Sequence, residues 1–311
     1  MELVELPEPA PASGEVRVRI HAAGVNPVDA YIRSGNYALK PDLPYTPGGD
    51  GAGTIEAIGS DVVGLTLGQR VYVGGTIAGN IFGTYATHAL CRADQVHPLA
   101  DHLSFEQGAA VNVAYVTGYR ALVDRAGARP GESVLVHGAS GGVGIATVQI
   151  ASAMGCIVFG TAGTAQGRTL VTQQGAAMAF DHRESGYLEQ IRAATRGRGP
   201  DVIIEMLANV NLDADLGLIA PGGRIVVVGN RGRVEIDPRQ TMGKEATITG
   251  VQMWAGGDAA VQRAHAHIVA GLARGTLEPV VGRSFPLDRA AEAHDAVMAD
   301  GHHGKVVLNC A

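Results

Sequence analysis

The sequence predicts an α/β protein in which a doubly wound parallel sheet is joined to a smaller β-rich domain. Three observations carry this. From Ser133 onward, short apolar runs alternate with helical patterns, the rhythm of βαβ units. The segment Val134-Leu-Val-His-Gly-Ala-Ser-Gly-Gly-Val-Gly144 runs from a buried-strand pattern through glycines into Ile145–Ala151, an apolar helix start. Before about residue 104 the chain instead shows short strands, glycine turns and no long helix.

Taken in order, the N-terminus is polar and proline-rich (Pro7, Pro9, Pro11), and Glu15–His21 alternates strictly, as a half-exposed strand does. Gly24 to Asp50 reads as an irregular stretch rich in Pro, Gly, Asn and Tyr, where a site could sit. Gly51–Gly59 and Arg70–Val73 are short strands between glycine turns. Ser104-Phe-Glu-Gln107 is a capping box that opens an apolar helical stretch to about Asp124. Strands follow at Ser133–His137, Ile157–Gly160, Ala177–Phe180, Val202–Glu205 and Arg224–Val228, with helices at 143–154, 165–174, 187–195 and 211–219 between them. After Thr247–Val251, an amphipathic helix (Asp258–Arg274), a short strand at Val280 and Val281, a helix (Ala290–Met298) and a strand (Lys305–Leu308) break the βαβ rhythm. They are expected to return to the first domain. The predicted division is 1–107 with 254–311, and 108–253.

The glycine turn has the spacing A-x-G-x-x-G, with Ala139, Gly141 and Gly144 in the three slots. These serve a tight turn, close backbone approach to a pyrophosphate and close helix–strand packing. Phosphates are expected on the amides of the helix N-terminus, where the dipole favours negative charge. In NAD-binding turns an acid about 20 residues further on holds the ribose hydroxyl. Here no Asp or Glu occurs between Glu132 and Asp181, and the second strand ends in the neutral Gly160-Thr-Ala-Gly-Thr164 with Arg168 beyond. A neutral pocket with a nearby cation suits a 2′-phosphate, so NADP(H) is predicted over NAD(H). Gly163, Thr164, Arg168 and His182 are the candidates for its adenosine end.

Composition narrows the classes. The chain has 311 residues, 46% hydrophobic and 17% charged, with a net charge of -6, so it lacks the basic field of a nucleic-acid binder. Its three cysteines, Cys91, Cys156 and Cys310, lie far apart, which speaks against a zinc cage or disulfide framework and fits a reducing cytoplasm. No apolar run is long enough to span a bilayer, and no signal peptide precedes the first strand.

Several stretches carry a family resemblance: Tyr31–Gly35, Pro44–Gly48, Ser133–Gly144, Gly160–Thr164, Ile203–Leu212 and Pro238–Glu245. Through them the chain resembles, over nearly its whole length, the zinc-independent quinone oxidoreductases of the medium-chain dehydrogenase/reductase superfamily, of the zeta-crystallin type. The resemblance implies a GroES-like β-rich substrate domain in two segments around a Rossmann domain, with a cleft between them. It implies that Tyr31 and Asn26 lie by the nicotinamide and substrate, and that Ser140, Gly141, Gly142 and Val143 hold the pyrophosphate. Gly163 and His182 would serve the adenosine phosphate, while Asn211, Val228, Gly229, Asn230 and Arg231 line the adenine and ribose side. Val251, Gln252 and Met253 would close over the nicotinamide. Two departures stand out. The family begins with a further strand and Gly-Gly-Pro turn ahead of the segment matching Glu2–Pro9, and Gly79–Gly83 is a few residues longer here.

Zinc relatives place a cysteine where Asn26 stands and Gly-His-Glu where Gly48-Gly-Asp50 stands, so no catalytic zinc is expected. His265, His267, His302 and His303 read as surface histidines. Without a metal the acceptor should be intrinsically electrophilic, a quinone or an activated alkene, and the protein's part is to bind and aim the cofactor and exclude water. Tyr31 is the choice for the hydrogen-bond donor to the acceptor oxygen, with Asn26 orienting ring or acceptor. Tyr45 reads as structural. Three functions stay open: a quinone oxidoreductase, an alkenal or enone reductase of the same fold, and an RNA-binding protein, which the acidic balance speaks against as the main role. Thr247–Met253 is apolar enough to be a paired sheet edge, from which a homodimer or homotetramer is expected.

Overall fold

The computed structural model describes residues 1–74 and 83–310, so most of the longer segment at Gly79–Gly83 lies outside the described residues. The chain divides into two compact units, Met1–Val113 with His267–Ala311, and Ala114–Ala266. Both borders lie C-terminal to the predicted ones.

In the first unit the strands are β1 (Glu15–Val25), β2 (Asp50–Ile58), β3 (Arg70–Gly74), β4 (His88–Arg92) and β5 (Val96–Pro98). Helix α1 (Pro27–Arg33) follows β1, and α2 (Phe105–Gly108) and the start of α3 (Asn112–Tyr119) follow β5. The stretch read as irregular from Gly24 to Asp50 therefore contains a helix. Asn26 caps it, Pro27 takes the first helical position and the Asp29 carboxylate accepts from the Asn26 amide at 2.8 Å. Seven residues are too few to show a 3.6-residue period, so the sequence pattern alone does not reveal it. The capping box at Ser104 is present, with Gln107 N–H donating to Ser104 Oγ at 3.2 Å and Gln107 Oε1 accepting from Ser104 N–H at 3.0 Å. It starts a broken series, α2, then α3, then a π-turn over Arg120–Arg125, not one helix.

The second unit alternates as the sequence predicts. Its elements are β6 (Ser133–Val136), α4 (Gly142–Ala153), β7 (Ile157–Thr161), α5 (Ala165–Gln173), β8 (Met178–Phe180), α6 (Tyr187–Ala194) and β9 (Val202–Glu205). The series continues with α7 (Ala208–Leu218), β10 (Arg224–Val227), α8 (Arg239–Lys244), β11 (Thr247–Gly250) and most of α9 (Asp258–Arg274). All strand pairs are parallel, in the order β11-β10-β9-β6-β7-β8. Chain order reverses between β6 and β9, and such a switch point is where open α/β sheets bind nucleotides. β11 lies at the sheet edge, with Thr247 and Gly250 exposed.

The chain then adds β12 (Val281–Pro286), α10 (Ala290–Met298) and β13 (Lys305–Asn309). These belong to the first unit, as expected: β13 pairs with β1, giving the order β12-β13-β1-β2-β3-β5 with β4 also on β1. The alternation of β1 sends Val16, Val18 and Ile20 into a core with Ile55, Val71, Val73 and Leu308. The second unit buries Leu135, Phe159, Ile203, Leu216 and Ile225 between sheet and helices. Each such side chain contributes about 1.5–3 kcal/mol by leaving water.

One histidine reading is corrected. His265 is only 2% exposed, because on α9 it shares the inward face with Ala264, Ile268 and Leu272. His267, His302 and His303 are half-buried.

Candidate active site

The glycine turn sits at the switch point. Gly138 takes a left-handed φ of 57° and accepts from Gly141 N–H at 3.1 Å, which closes the turn before α4. A Cβ on Gly144 would lie 2.4 Å from the Gly138 carbonyl oxygen and 2.6 Å from Ala139 Cα. The third glycine slot is thus a packing requirement. Ala139 fits the first slot because Gly160 on the adjacent strand has no side chain; a Cβ there would meet the Ala139 methyl at 2.8 Å. Ser140 is nearly buried and Gly142 and Val143 half-buried at the head of α4. The first amides of a helix have no partner within it, so this turn fits a pyrophosphate.

At the end of β7 the predicted residues take distinct parts. Thr164 caps α5, its Oγ1 accepting from Gly167 N–H at 3.0 Å. Arg168 is committed to Asp181, with a second contact to the Ala162 carbonyl oxygen at 3.5 Å. Gly163 is crowded: a Cβ there would meet Arg183 Nε at 2.7 Å and His182 Nε2 at 2.9 Å. Arg183 is a second cation beside Gly163, one that the sequence reading did not single out. It lies two residues after Asp181, whose Oδ1 accepts from the Arg183 N–H at 2.9 Å, and Arg168, the first arginine after the strand, draws the assignment instead.

The remaining candidates are spread over strand ends. Val228 and Gly229 are half-buried, their amides donating to the Glu205 carbonyl oxygen at 2.8 and 3.2 Å. Asn230 and Arg231 are exposed; Asn230 donates to the Gly232 carbonyl oxygen and Arg231 N–H to Asn209 Oδ1. Val251 N–H extends the ladder to Val227, and the carbonyl oxygens of Gln252 and Met253 both accept from Arg120. Asn211 turns its amide to Glu205 Oε1 at 3.1 Å.

Glu205 belongs to a buried cluster that the sequence did not reveal. His137, at the end of β6, holds Asp215 of α7 at 2.9 Å and lies 3.6 Å from Glu205 Oε2. Burial opposes a charge on His137, but the Asp215 and Glu205 carboxylates together outweigh it and the histidine pKa is raised. Burial, helped by the Asp215 charge, also raises the Glu205 pKa against the pull of His137. Glu205 Oε2 and Asp215 Oδ2 have no other donor among the described residues, and a proton kept on Glu205 supplies one. The available signal was an acid closing the apolar run Val202-Ile-Ile-Glu205.

In the first unit, Asn26 and Tyr31 stand at the head and on the body of α1, Asn26 buried and Tyr31 half-buried. Asn26 Oδ1 accepts from the Lys305 ammonium at 2.5 Å, and its Nδ2 donates to Asp50 Oδ2 at 3.0 Å. Lys305 also donates to Asp50 Oδ2 at 2.6 Å. The other Asp50 oxygen accepts from Val113 N–H at 2.9 Å and Asn112 Nδ2 at 3.2 Å. On the far side of the Asn26 backbone, Asp29 Oδ2 also accepts from Tyr85 O–H at 3.3 Å, and Tyr85 contacts His294 at 3.2 Å. Burial pushes the Asp29 pKa up to about 7, and burial lowers that of His294 to about 4. The positions matching zinc ligands therefore present an amide and a carboxylate already bound to an ammonium, a donor set that does not fit zinc. Among the described residues, two groups have metal-like spacing: His137, Glu205 and Asp215, and Glu8, Glu56 and His88. The first is tied by the hydrogen bond to Asp215, and Arg17 and Arg19 lie within 4.0 Å of carboxylates of the second.

A β-rich unit built from both chain ends, with a parallel sheet carrying a glycine turn at its switch point, defines an oxidoreductase of the alcohol-dehydrogenase class. Residues 12–101 match the family model described as the alcohol dehydrogenase GroES-like domain, and residues 142–269 the one described as zinc-binding dehydrogenase. The chain is 48% identical to the quinone oxidoreductase of Homo sapiens over 96% of its length and 90% of that protein. It is 49% identical to that of Rattus norvegicus with the same coverage, and it belongs to the quinone oxidoreductase family. Among solved structures, one described as an NAD-dependent alcohol dehydrogenase superposes with a TM-score of 0.92 at 29% identity, over 99% of this chain and 95% of that one. The quinone oxidoreductase of Thermus thermophilus, described together with its NADPH complex, gives a TM-score of 0.84 at 33% identity with the same coverage.

Proposed function

We propose that the protein is an NADPH-dependent quinone oxidoreductase that works without zinc. The observation that carries this is the glycine turn from Gly138 to Gly144, packed too tightly for a side chain at Gly144, in a chain 48% identical to a quinone oxidoreductase. The bound nicotinamide supplies two electrons and one proton to the acceptor, and solvent supplies the second proton. Ser140, Gly141, Gly142 and Val143 hold the pyrophosphate through backbone amides. Gly163 leaves room beside His182 and Arg183, and the Arg183 guanidinium, not the Asp181-bound Arg168, meets the 2′-phosphate. Val228, Gly229, Asn230 and Arg231 face the ribose and adenine, with Asn211 acting through Glu205, and Val251, Gln252 and Met253 frame the nicotinamide. Asn26 and Tyr31 donate hydrogen bonds to the acceptor oxygen as negative charge grows there. Such an acceptor needs no Lewis acid, because a quinone carbonyl pair is itself strongly electrophilic.

The protein works in the cytoplasm as a homodimer or homotetramer paired through β11, the edge strand of the parallel sheet. Among the described residues no helix is long and apolar enough to cross a membrane. The test follows the near-ultraviolet absorbance of the reduced cofactor with an ortho-quinone, with an enone, and with NADH in place of NADPH. Turnover with quinone and NADPH is expected. Turnover with the enone alone would replace this reading with an alkene reductase.

A further inference from the structure

Three neighbouring strands of the first unit set the geometry. Lys305 opens β13, Gly24 lies near the end of β1 and Asp50 opens β2, with Gly24 paired to Asp50 across the ladder. A Cβ on Gly24 would lie 2.8 Å from Asp50 Cβ and 3.0 Å from Lys305 Cε. The nearest atom would be the Ala109 carbonyl oxygen, at 2.1 Å, so the missing side chain lets that backbone, the carboxylate and the lysine arm pack together against β1. Two residues on, Asn26 meets both ends of the pair.

The amide has one allowed orientation. Turned over, it would set its NH2 against the ammonium and its oxygen against the carboxylate, two repulsive contacts between groups at most 5% exposed. In the orientation present, Asp50 uses one Nδ2 hydrogen, and the other has no partner among the described residues. Asp50 is itself saturated: Lys305 and Asn26 on one oxygen, Val113 and Asn112 on the other. A cation on the amide oxygen draws electron density from its nitrogen, so the remaining N–H becomes a stronger donor, and hydrogen bonds in a low-dielectric chain reinforce one another.

We propose that Lys305 and Asp50 are positioning residues for quinone reduction: they lock and polarise the Asn26 amide so that its second N–H stabilises the oxyanion developing on the acceptor. Lys305 transfers neither proton nor electron and stays bonded to Asp50 throughout. The inference rests on the proposed function, which makes Asn26 a donor to the acceptor. It assigns a task to a lysine brought in from the last strand of the chain, 279 residues from Asn26.

The decisive protein is the double variant Lys305→Met with Asp50→Asn. The methionine keeps the stem, and the carboxamide oxygen at position 50 keeps the bonds from Val113 and Asn112, while its NH2 bonds to Asn26 only if that amide turns over, so the lock is lost without a stranded buried charge. Its melting temperature and NADPH affinity are measured first and are expected to match the wild type. Steady-state kinetics then follow with para-benzoquinones of decreasing electron affinity. The expected result is a fall of about tenfold or more, mainly in kcat. It should deepen along the series as the developing oxyanion becomes more basic and relies more on a strong donor. Asn26→Ala should show the same trend, and the Asn26 side-chain amide resonances should move upfield in the double variant as polarisation is lost. Turnover within about twofold of wild type, an equal loss across the series, or an unaffected Asn26→Ala would overturn the proposal. Wild-type protein that turns over no quinone with NADPH would instead overturn the functional reading beneath it.

Discussion

Replacing Asp29 by asparagine should make the protein more stable at alkaline pH and leave it unchanged in acid. Asp29 is 4% exposed, and burial raises its pKa from 3.8 to about 7. The folded chain therefore binds this proton more tightly than the unfolded chain. The stability from that difference is complete below 3.8, declines as the pH climbs, and is gone once the folded group ionises near pH 7. Each pH unit between the two values is worth about 1.4 kcal/mol, so the loss totals about 4 kcal/mol. The substituted carboxamide never ionises, yet its oxygen can accept the hydrogen bonds that Asp29 Oδ2 takes from the Asn26 amide and Tyr85 hydroxyl. Glu205 also has a raised pKa and gives a slope of the same sign, but it is present in both proteins and cancels in the comparison. Urea unfolding of both proteins at about pH 5 and pH 8 samples about two of those units, the variant losing less stability on going to the higher pH by about 2.5–3 kcal/mol. Identical pH dependence in the two proteins would refute the argument that Asp29 is protonated in the fold.

Three further outcomes are expected. Gly144→Ala puts a methyl 2.4 Å from the Gly138 oxygen; the turn must open, and NADPH affinity by fluorescence titration should fall about tenfold or more while the first unit is unaffected. Arg183→Ala should weaken NADPH about tenfold and leave NADH unchanged, whereas Arg168→Ala, which breaks the pair with Asp181, should shift both cofactors equally. His137→Leu strands the buried Asp215 carboxylate and should cost about 3–5 kcal/mol in urea unfolding, with part recovered in the double variant His137→Leu, Asp215→Leu.

The sequence by itself determined the βαβ order of the second unit, because apolar strand runs, helix periods and glycine turns are local signals with little competition. It also determined the nucleotide turn: Gly138 and Gly144 are required by backbone geometry within a few residues of chain. The return of the last strand was visible as a break in rhythm. Helix α1 was not legible, since a helix of two turns depends on a cap and on packing. The broken series after Ser104 was not legible either, since its capping box marks only where the helical stretch begins. The charged interior was decided by tertiary structure alone. Lys305, Asp50 and Asn26 meet because three strands from distant parts of the chain lie side by side around a glycine. His137, Glu205 and Asp215 meet because β6 and β9 are neighbours only after the sheet is wound. The pairing of Arg168 with Asp181, and the approach of Arg183 to Gly163, are likewise set by the fold. A charge's role depends on which opposite charge lies within a few ångströms, and that distance is set by the fold.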